Sequence, residues 1–170
     1  MKLVRSGSSA IAGRGLFAGE SIARGEPIHE VTGALHHLIV TDKDDAMTGP
    51  DWIGIGRDLW IDPDLPVKFL NHSCAPNAAI VGRITVGSEG QMEGRYDLVA
   101  IADIGRGQEI TIDYSLIEGD PLWEMPCGCE AAGCRRTIRS IESLSPERFE
   151  AYLPNVPDYF RTLYLSRRRA

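Results

Sequence analysis

The segment Pro126–Cys134, PCGCEAAGC, holds three of the chain's four cysteines: Cys127, Cys129 and Cys134. The fourth, Cys74, lies far upstream in Phe69–Asn77, FLNHSCAPN. Four thiolates are enough for one closed tetrahedral zinc site, and soft, anionic sulfur suits that use. The C-x-C-x4-C spacing is tighter than the commoner C-x2-C, and spacing alone leaves two other readings open. Disulfides need an oxidising compartment; MKLVRSGSSAIAGRG at the start does not read as a secretory leader, and the chain is not Cys-dense. Buried free thiols have no need to crowd beside Gly128 and Gly133. Zinc would give Cys74 its reason, by tying the Cys-rich segment onto the FLNHSC stretch.

The other reactive groups cluster in two short stretches. Asn71 offers a carbonyl acceptor and an amide donor, the pair a purine edge needs, and His72 offers a ring or a backbone group. Tyr114 closes Gly107–Tyr114, GQEITIDY. Taken singly, each of these is more often a structural residue, and Tyr114 alone would read as a half-buried packing residue with a wet hydroxyl.

Short strands must position these groups. The apolar runs Pro27–Val31, Leu35–Val40, Leu98–Ile104 and Glu109–Ile112 are brief, and 18 glycines and 10 prolines punctuate the chain. Ala78–Val86 and Tyr96–Ile104 read as a hairpin with its tip in Gly87–Gly94, and Met47–Asp51 reads as a loop. Ser145-Pro146-Glu147 opens a helix with an N-cap, a first-position proline and an acid in the first turn. A second short helix is expected after Pro157-Asp158. The expectation is a mainly β body at 1–115, a Cys-rich segment at 116–136 and a helical tail at 137–170. His36-His37 reads as a half-exposed strand pair and Asp42, Asp44 and Asp45 as a solvated turn, since they lack the ligand period and glycine of a calcium loop. Glu30 and Asp113 could pair with a basic substrate or be ordinary carboxylates.

With 170 residues, 43% of them apolar, the chain can bury the core of one domain. Its formal charge of −6 and pI near 5.2 argue against holding a nucleic-acid backbone and suit a basic protein or peptide partner. No apolar run nears the ~20 residues of a membrane span. The basic Arg167-Arg168-Arg169 reads as a solvated terminus.

Four stretches, in order, carry a resemblance: GRGLFA (Gly13–Ala18), FLNHSCAPN, GQEITIDY and CGCEAAGC (Cys127–Cys134). Together they resemble a small, bacterial-type SET-domain protein lysine methyltransferase with a post-SET zinc segment, over roughly residues 1–136. The resemblance implies a fold of small β-sheets in which the NHSC and D-Y stretches form a pseudoknot, followed by the zinc segment and short C-terminal helices. It implies S-adenosylmethionine as methyl donor, bound through Gly13, Arg14, Gly15, Asn71, His72 and Tyr114. Lys68 stands where the family often has an arginine; it keeps the charge but loses the planar fork. The resemblance makes Tyr114 the catalytic residue and makes Cys74, Cys127, Cys129 and Cys134 ligands of Zn2+. Ile112 and Trp123 would wall the substrate lysine channel. Ile112 replaces the usual Phe or Tyr two residues before the tyrosine, which implies a site not restricted to one methyl group. The implied substrate is a lysine of a basic protein such as a histone; the expected setting is the reducing cytoplasm, with nuclear or host-delivered action left open. Two alternatives are a non-catalytic SET-fold module that binds peptide or cofactor, and a purely structural zinc-stapled β domain.

Overall fold

The computed structural model describes residues 1–37, 51–86 and 92–168. The expected turn at Asp42–Asp45, most of the loop at 47–51, most of the hairpin tip at 87–94, and Arg169 lie outside the described residues. Twelve strands dominate the described residues: β1 (Val4–Ser8), β2 (Arg14–Ala18), β3 (Pro27–Glu30), β4 (Gly33–His37), β5 (Ile53–Gly56), β6 (Leu59–Pro63), β7 (Asn71–His72), β8 (Ala78–Val86), β9 (Met92–Ala100), β10 (Glu109–Ile112), β11 (Glu124–Pro126) and β12 (Thr137–Arg139). Two helices follow, α1 (Pro146–Tyr152) and α2 (Asp158–Arg167). None of the described helices is long and apolar enough to cross a membrane.

The strands form small separate sheets, ordered β1-β2-β10-β7, β3-β9-β8, β4-β6-β5 and β11-β12. Alternation sets their faces: β6 buries Leu59, Ile61 and Pro63 and turns Trp60 and Asp62 partly outward. The β8–β9 hairpin pairs Ala78 with Ala100 through to Val86 with Met92. Its second strand ends at Ala100, four residues short of the expected Ile104. There the Asn77 carbonyl accepts from the N–H groups of both Ile101 and Ala102, which turns the chain, and Ile104 instead bridges Ile22. His36 and His37 do lie on a strand, and His36 stacks on Trp52 with ring centres 3.9 Å apart.

Two apolar clusters hold the molecule. The larger joins the sheets through residues such as Leu16, Ile28, Leu98, Ile110 and Ile112. The smaller joins Leu116 to Ile141, Leu144, Phe149, Tyr152, Val156, Phe160 and Tyr164. The Ser145 hydroxyl accepts from the Arg148 N–H and caps α1, with Pro146 at the first position. Helix α2 sits against β5 because residue 54 is glycine. A Cβ there would strike the Ile117 carbonyl and crowd the Phe160 ring.

Strand β7 is only two residues long, yet it joins distant parts of the chain. It runs parallel to β10, pairing Asn71 with Thr111 and His72 with Ile112. The Ser73 N–H donates to the Ile112 carbonyl at 2.9 Å. The Asn77 amide donates to the Glu109 carbonyl at 2.8 Å, and its Oδ1 accepts from the Thr111 N–H at 2.9 Å. The two stretches are thereby locked side by side, as the pseudoknot requires.

Candidate active site and thiol cluster

Beyond β10 the chain enters a 3-10 turn, Tyr114–Ile117, capped by the Asp113 carboxylate, which accepts from the Ser115 N–H. The turn fixes Tyr114 at both ends. Its N–H donates to His72 Nδ1 at 3.2 Å, and its hydroxyl donates to the Leu70 carbonyl at 2.7 Å. The hydroxyl proton is thus used inside the protein and the oxygen lone pairs are left free. Burial, helped by the charges of Asp51 and Glu109, pushes the phenol up to about 12, so Tyr114 stays neutral at physiological pH.

Tyr114 lines a cleft of about 330 Å³ together with Ile112, Trp123, Lys68 and Asn71. The chain has three tryptophans, and all of them, Trp52, Trp60 and Trp123, face this cleft. Asp51 and Glu118 add carboxylates to its wall. Burial shifts the Glu118 carboxyl upward, against hydrogen bonds from the Asp120 and Gly119 backbone. Aromatic faces with nearby carboxylates suit a cation with an alkyl stem. Lys68 is held at 2.8 Å by Asp62, which raises its pKa despite some desolvation.

Gly13, Arg14, Gly15 and His72 do not line the cleft; from the glycine loop, Ala12 does. Arg14 lies over the Phe69 ring, 4.1 Å from its centre. The Asn71 amide nitrogen donates to the carbonyls of Ala12 and Arg14 and to Glu109 Oε1, at 3.1, 2.9 and 2.8 Å. Its two protons are therefore spent holding the glycine loop. The Ser9 hydroxyl donates to the same Glu109 carboxylate. Residue 15 must be glycine here, because a Cβ would run into that carboxylate. The His72 ring is also engaged on both sides. Since Nδ1 accepts from Tyr114, Nε2 carries the proton and donates to Cys74 Sγ at 3.3 Å. Burial pulls its pKa down to about 4, with Asp113 opposing and Arg135 and Arg148 assisting, so the ring is neutral.

The four cysteines come together, all with free thiols. Cys74 and Cys127 sulfurs are 3.8 Å apart, Cys127 and Cys134 3.6 Å apart, and the Cys74 N–H donates to Cys129 Sγ at 3.3 Å. Zn–S bonds of about 2.3 Å at tetrahedral angles place sulfurs about 3.8 Å apart, so the thiols fit that ion. His72, Cys74, Cys127 and Cys129 also bring ligand atoms within 4.8 Å of one another. Cys134 is not in that set, but its sulfur lies 3.6 Å from that of Cys127, while His72 presents a protonated nitrogen to the cluster. Burial pushes Cys127 up to about 12; hydrogen bonds from Cys127 and Cys134 and from the Cys74 and Ala131 backbone overcome burial at Cys129 and bring it to about 6.

Several residues shape the site in ways their place in the sequence does not announce, Glu109 and Asp113 within GQEITIDY and Arg135 just past the last cysteine. The Asp113 side chain is fully buried and meets the Arg135 guanidinium at 2.6 Å. Asp113 is therefore a structural carboxylate, not one that meets substrate. Arg135 also donates to the Ser115 hydroxyl and, through its N–H and Nε, to Cys74 Sγ. Glu109 organises the glycine loop. For Arg135 its adjacency to Cys134 was the available hint; for Glu109 and Asp113 it was their place in GQEITIDY.

The SET domain family profile matches residues 13–115. The chain belongs to the SET-domain family. Histone-lysine N-methyltransferase 2B of Homo sapiens is 35% identical over 142 residues, covering 76% of this chain but 5% of that protein. An H3 lysine-4 specific histone-lysine N-methyltransferase of Cryptococcus neoformans is 33% identical over 148 residues, covering 79% of this chain and 10% of that protein. This SET-domain chain thus spans a small part of the length of these relatives. Among solved structures, KRYPTONITE in complex with mCHG DNA and SAH aligns at TM-score 0.59 and 25% identity, over 80% of this chain and 29% of that one. An autoinhibited ctPRC2 bound to S-adenosylmethionine aligns at TM-score 0.51 and 27% identity, over 70% of this chain and 16% of that one.

Proposed function

We propose that this SET-domain chain is a protein-lysine N-methyltransferase that uses S-adenosylmethionine to methylate a lysine of a basic protein, histones included. The observation that carries this reading is Tyr114, pinned by Leu70 and His72 beside Ile112 and Trp123 in an aromatic cleft. S-adenosylmethionine supplies a methyl group on a positively charged sulfur. The residues around the cleft then have three tasks. Asp51, Glu118 and the tryptophan faces would draw in the lysine as a cation, and the apolar surface of Ile112 next to Tyr114 would then favour the neutral amine of a group whose free pKa is about 10.4. Tyr114, neutral and with its proton spent on Leu70, turns oxygen lone pairs toward polarised C–H groups and orients the reacting atoms. Asn71 keeps only its carbonyl oxygen for the cofactor, and His72 only its backbone; Gly13, Arg14 and Gly15 offer main-chain groups, and Lys68 a positive charge.

Cys74, Cys127, Cys129 and Cys134 would hold a structural zinc, with His72 and Arg135 donating to Cys74 from outside the ligand set. We read the chain as a SET body at 1–115, the zinc segment at 116–136 and a helical tail at 137–170. The net charge of −6 and the carboxylates of Asp51 and Glu118 support a basic substrate. The unpaired thiols support a reducing compartment such as the cytoplasm. Ile112 brings no hydroxyl to hold a water or an amine, so di- and trimethyl products are expected; a mass spectrum showing only monomethyl-lysine at long times would refute this.

The test of the whole reading is methyl-labelled S-adenosylmethionine incubated with core histones and, separately, a bacterial lysate, with Tyr114→Phe alongside. Label entering a lysine of a protein band with wild type and not with the variant is the expected result. Cofactor binding without label in either pool would favour a binding module.

A further inference from the structure

The tail after residue 137 lies outside the SET match, yet two of its side chains reach the centre of the site. The Tyr152 hydroxyl donates to Asp113 Oδ2 at 2.8 Å. Arg148, one turn earlier on α1, donates from Nη1 to the Cys74 carbonyl at 2.7 Å. The two contacts fall on the two stretches that frame Tyr114: Asp113 immediately precedes it, and Cys74 follows the His72 that accepts its N–H.

We propose that Tyr152 and Arg148 are positioning residues for methyl transfer, acting through Asp113 and the Cys74 backbone. The argument is geometric. Asp113 Oδ1 is taken by Arg135 and by the Ser115 N–H, so it pins one oxygen to the turn. Tyr152 takes the other oxygen and so fixes the rotation of the carboxylate. With Oδ2 released, the carboxylate can swing about its remaining bonds and carry the capped turn with it. That turn sets the direction of Tyr114. Arg148 clamps the other stretch, holding the Cys74 main chain while Arg135 holds its sulfur. The two contacts lie one helical turn apart on α1, Tyr152 in the cluster with Phe149 and Tyr164 and Arg148 half-buried beside it. The helix therefore grips both stretches just past their last backbone bond, from the Ser73 N–H to the Ile112 carbonyl, where the ladder no longer holds them. A helix serving only as a lid would need the apolar ring of Tyr152 and not its hydroxyl.

This rests on the reading of Tyr114 as the methyl-transfer tyrosine, and the experiment separates the two. The 170-residue zinc-loaded chain would be compared as wild type, Tyr152→Phe, Asp113→Asn, the double variant, Arg148→Lys, Arg148→Met and Tyr114→Phe. Core histones serve as substrate, kcat and KM are measured well below each melting temperature, and S-adenosylmethionine affinity is read from tryptophan fluorescence. Tyr152→Phe keeps the packed ring, so the expected result is about a tenfold fall in kcat, as sub-ångström misplacement of reacting groups gives, with cofactor affinity within about twofold. Tyr152→Phe should add little to the loss already present in Asp113→Asn, which also gives up the Arg135 pair, and Arg148→Lys should retain more rate than Arg148→Met. An unchanged kcat in Tyr152→Phe overturns the proposal, as does a loss that only tracks the folded fraction, or independent, multiplying losses in the double variant. Full activity in Tyr114→Phe overturns the reading of Tyr114 and the proposal with it. Inactive Tyr114→Phe with a normal Tyr152→Phe overturns the proposal alone.

Discussion

Replacing Arg135 by methionine should destabilise the protein by about 3 kcal/mol, because it strands a buried charge. The Asp113 side chain is fully buried, and Arg135 is 18% exposed. Removing one partner of a buried ion pair typically costs about 3–5 kcal/mol. Two observations place this case at the low end. Asp113 keeps the Ser115 N–H and the Tyr152 hydroxyl after the guanidinium is gone, and the partial exposure of Arg135 lets water approach the gap. For a chain of this length, about 3 kcal/mol lowers the melting temperature by roughly 6–12 °C. The assay is urea and thermal unfolding of zinc-loaded protein, run as a cycle with Asp113→Asn. Asp113→Asn/Arg135→Met should recover most of the loss, since no unpaired charge remains. A loss below about 1 kcal/mol in Arg135→Met, or a double variant equal to the sum of the singles, would refute the view that the pair acts as a unit.

Cobalt substituted into the thiol cluster should give thiolate charge-transfer absorption that weakens in Cys134→Ser and persists in His72→Gln; the reverse pattern would put the imidazole in the ligand set. Chelation should remove the metal and cost more activity than it costs far-ultraviolet β signal, whereas equal loss of both would make the metal purely a stabiliser. Gly15→Ala should cost about 1–3 kcal/mol by overpacking against the Glu109 carboxylate and weaken S-adenosylmethionine binding, which calorimetry would measure. The rate should rise with pH as the substrate lysine loses its proton. No inflection from Tyr114 should appear below about pH 11, because its phenol is pushed to about 12, and none from His72 above about pH 5, because burial holds it near 4. A falling limb near pH 9 in the wild-type profile, with phenolate absorption from Tyr114 rising over the same range, would contradict this.

The groups that could do chemistry were legible because their chemistry demands rare neighbours: a tight cysteine spacing, and Asn-His-Ser running into a fourth cysteine. Strand content was legible from short Val- and Ile-rich runs between glycines, and α1 from its Ser-Pro-Glu start. What eluded the sequence is the set of long-range partners. Glu109 meets Ser9, and Tyr152 meets Asp113, across separations at which no local spacing rule operates. Tyr152 reads as one more aromatic on an apolar helix face, since nothing in its neighbours marks its hydroxyl as used. The roles of Asn71 and His72 were hidden for the opposite reason. Their polarity announced a ligand, but the protein itself consumes most of it. The end of β9 was overestimated because Ile101 and Ile104 continue an apolar pattern after the ladder stops, and the Asn77 carbonyl that turns the chain is remote in sequence.

The bond from Tyr152 to Asp113 also has a temporal side. Synthesis delivers residues in order at roughly 5–20 per second, and about 40 residues separate Tyr114 from Tyr152, so the tyrosine waits some 2–8 s for its distant support. During that interval the three downstream thiols emerge before α1 exists to brace Cys74. A nascent chain paused there would present open sulfur ligands and an unbraced turn. A metal taken up by the thiols would then precede the docking of α1, and the cleft would reach its working shape only with the second step.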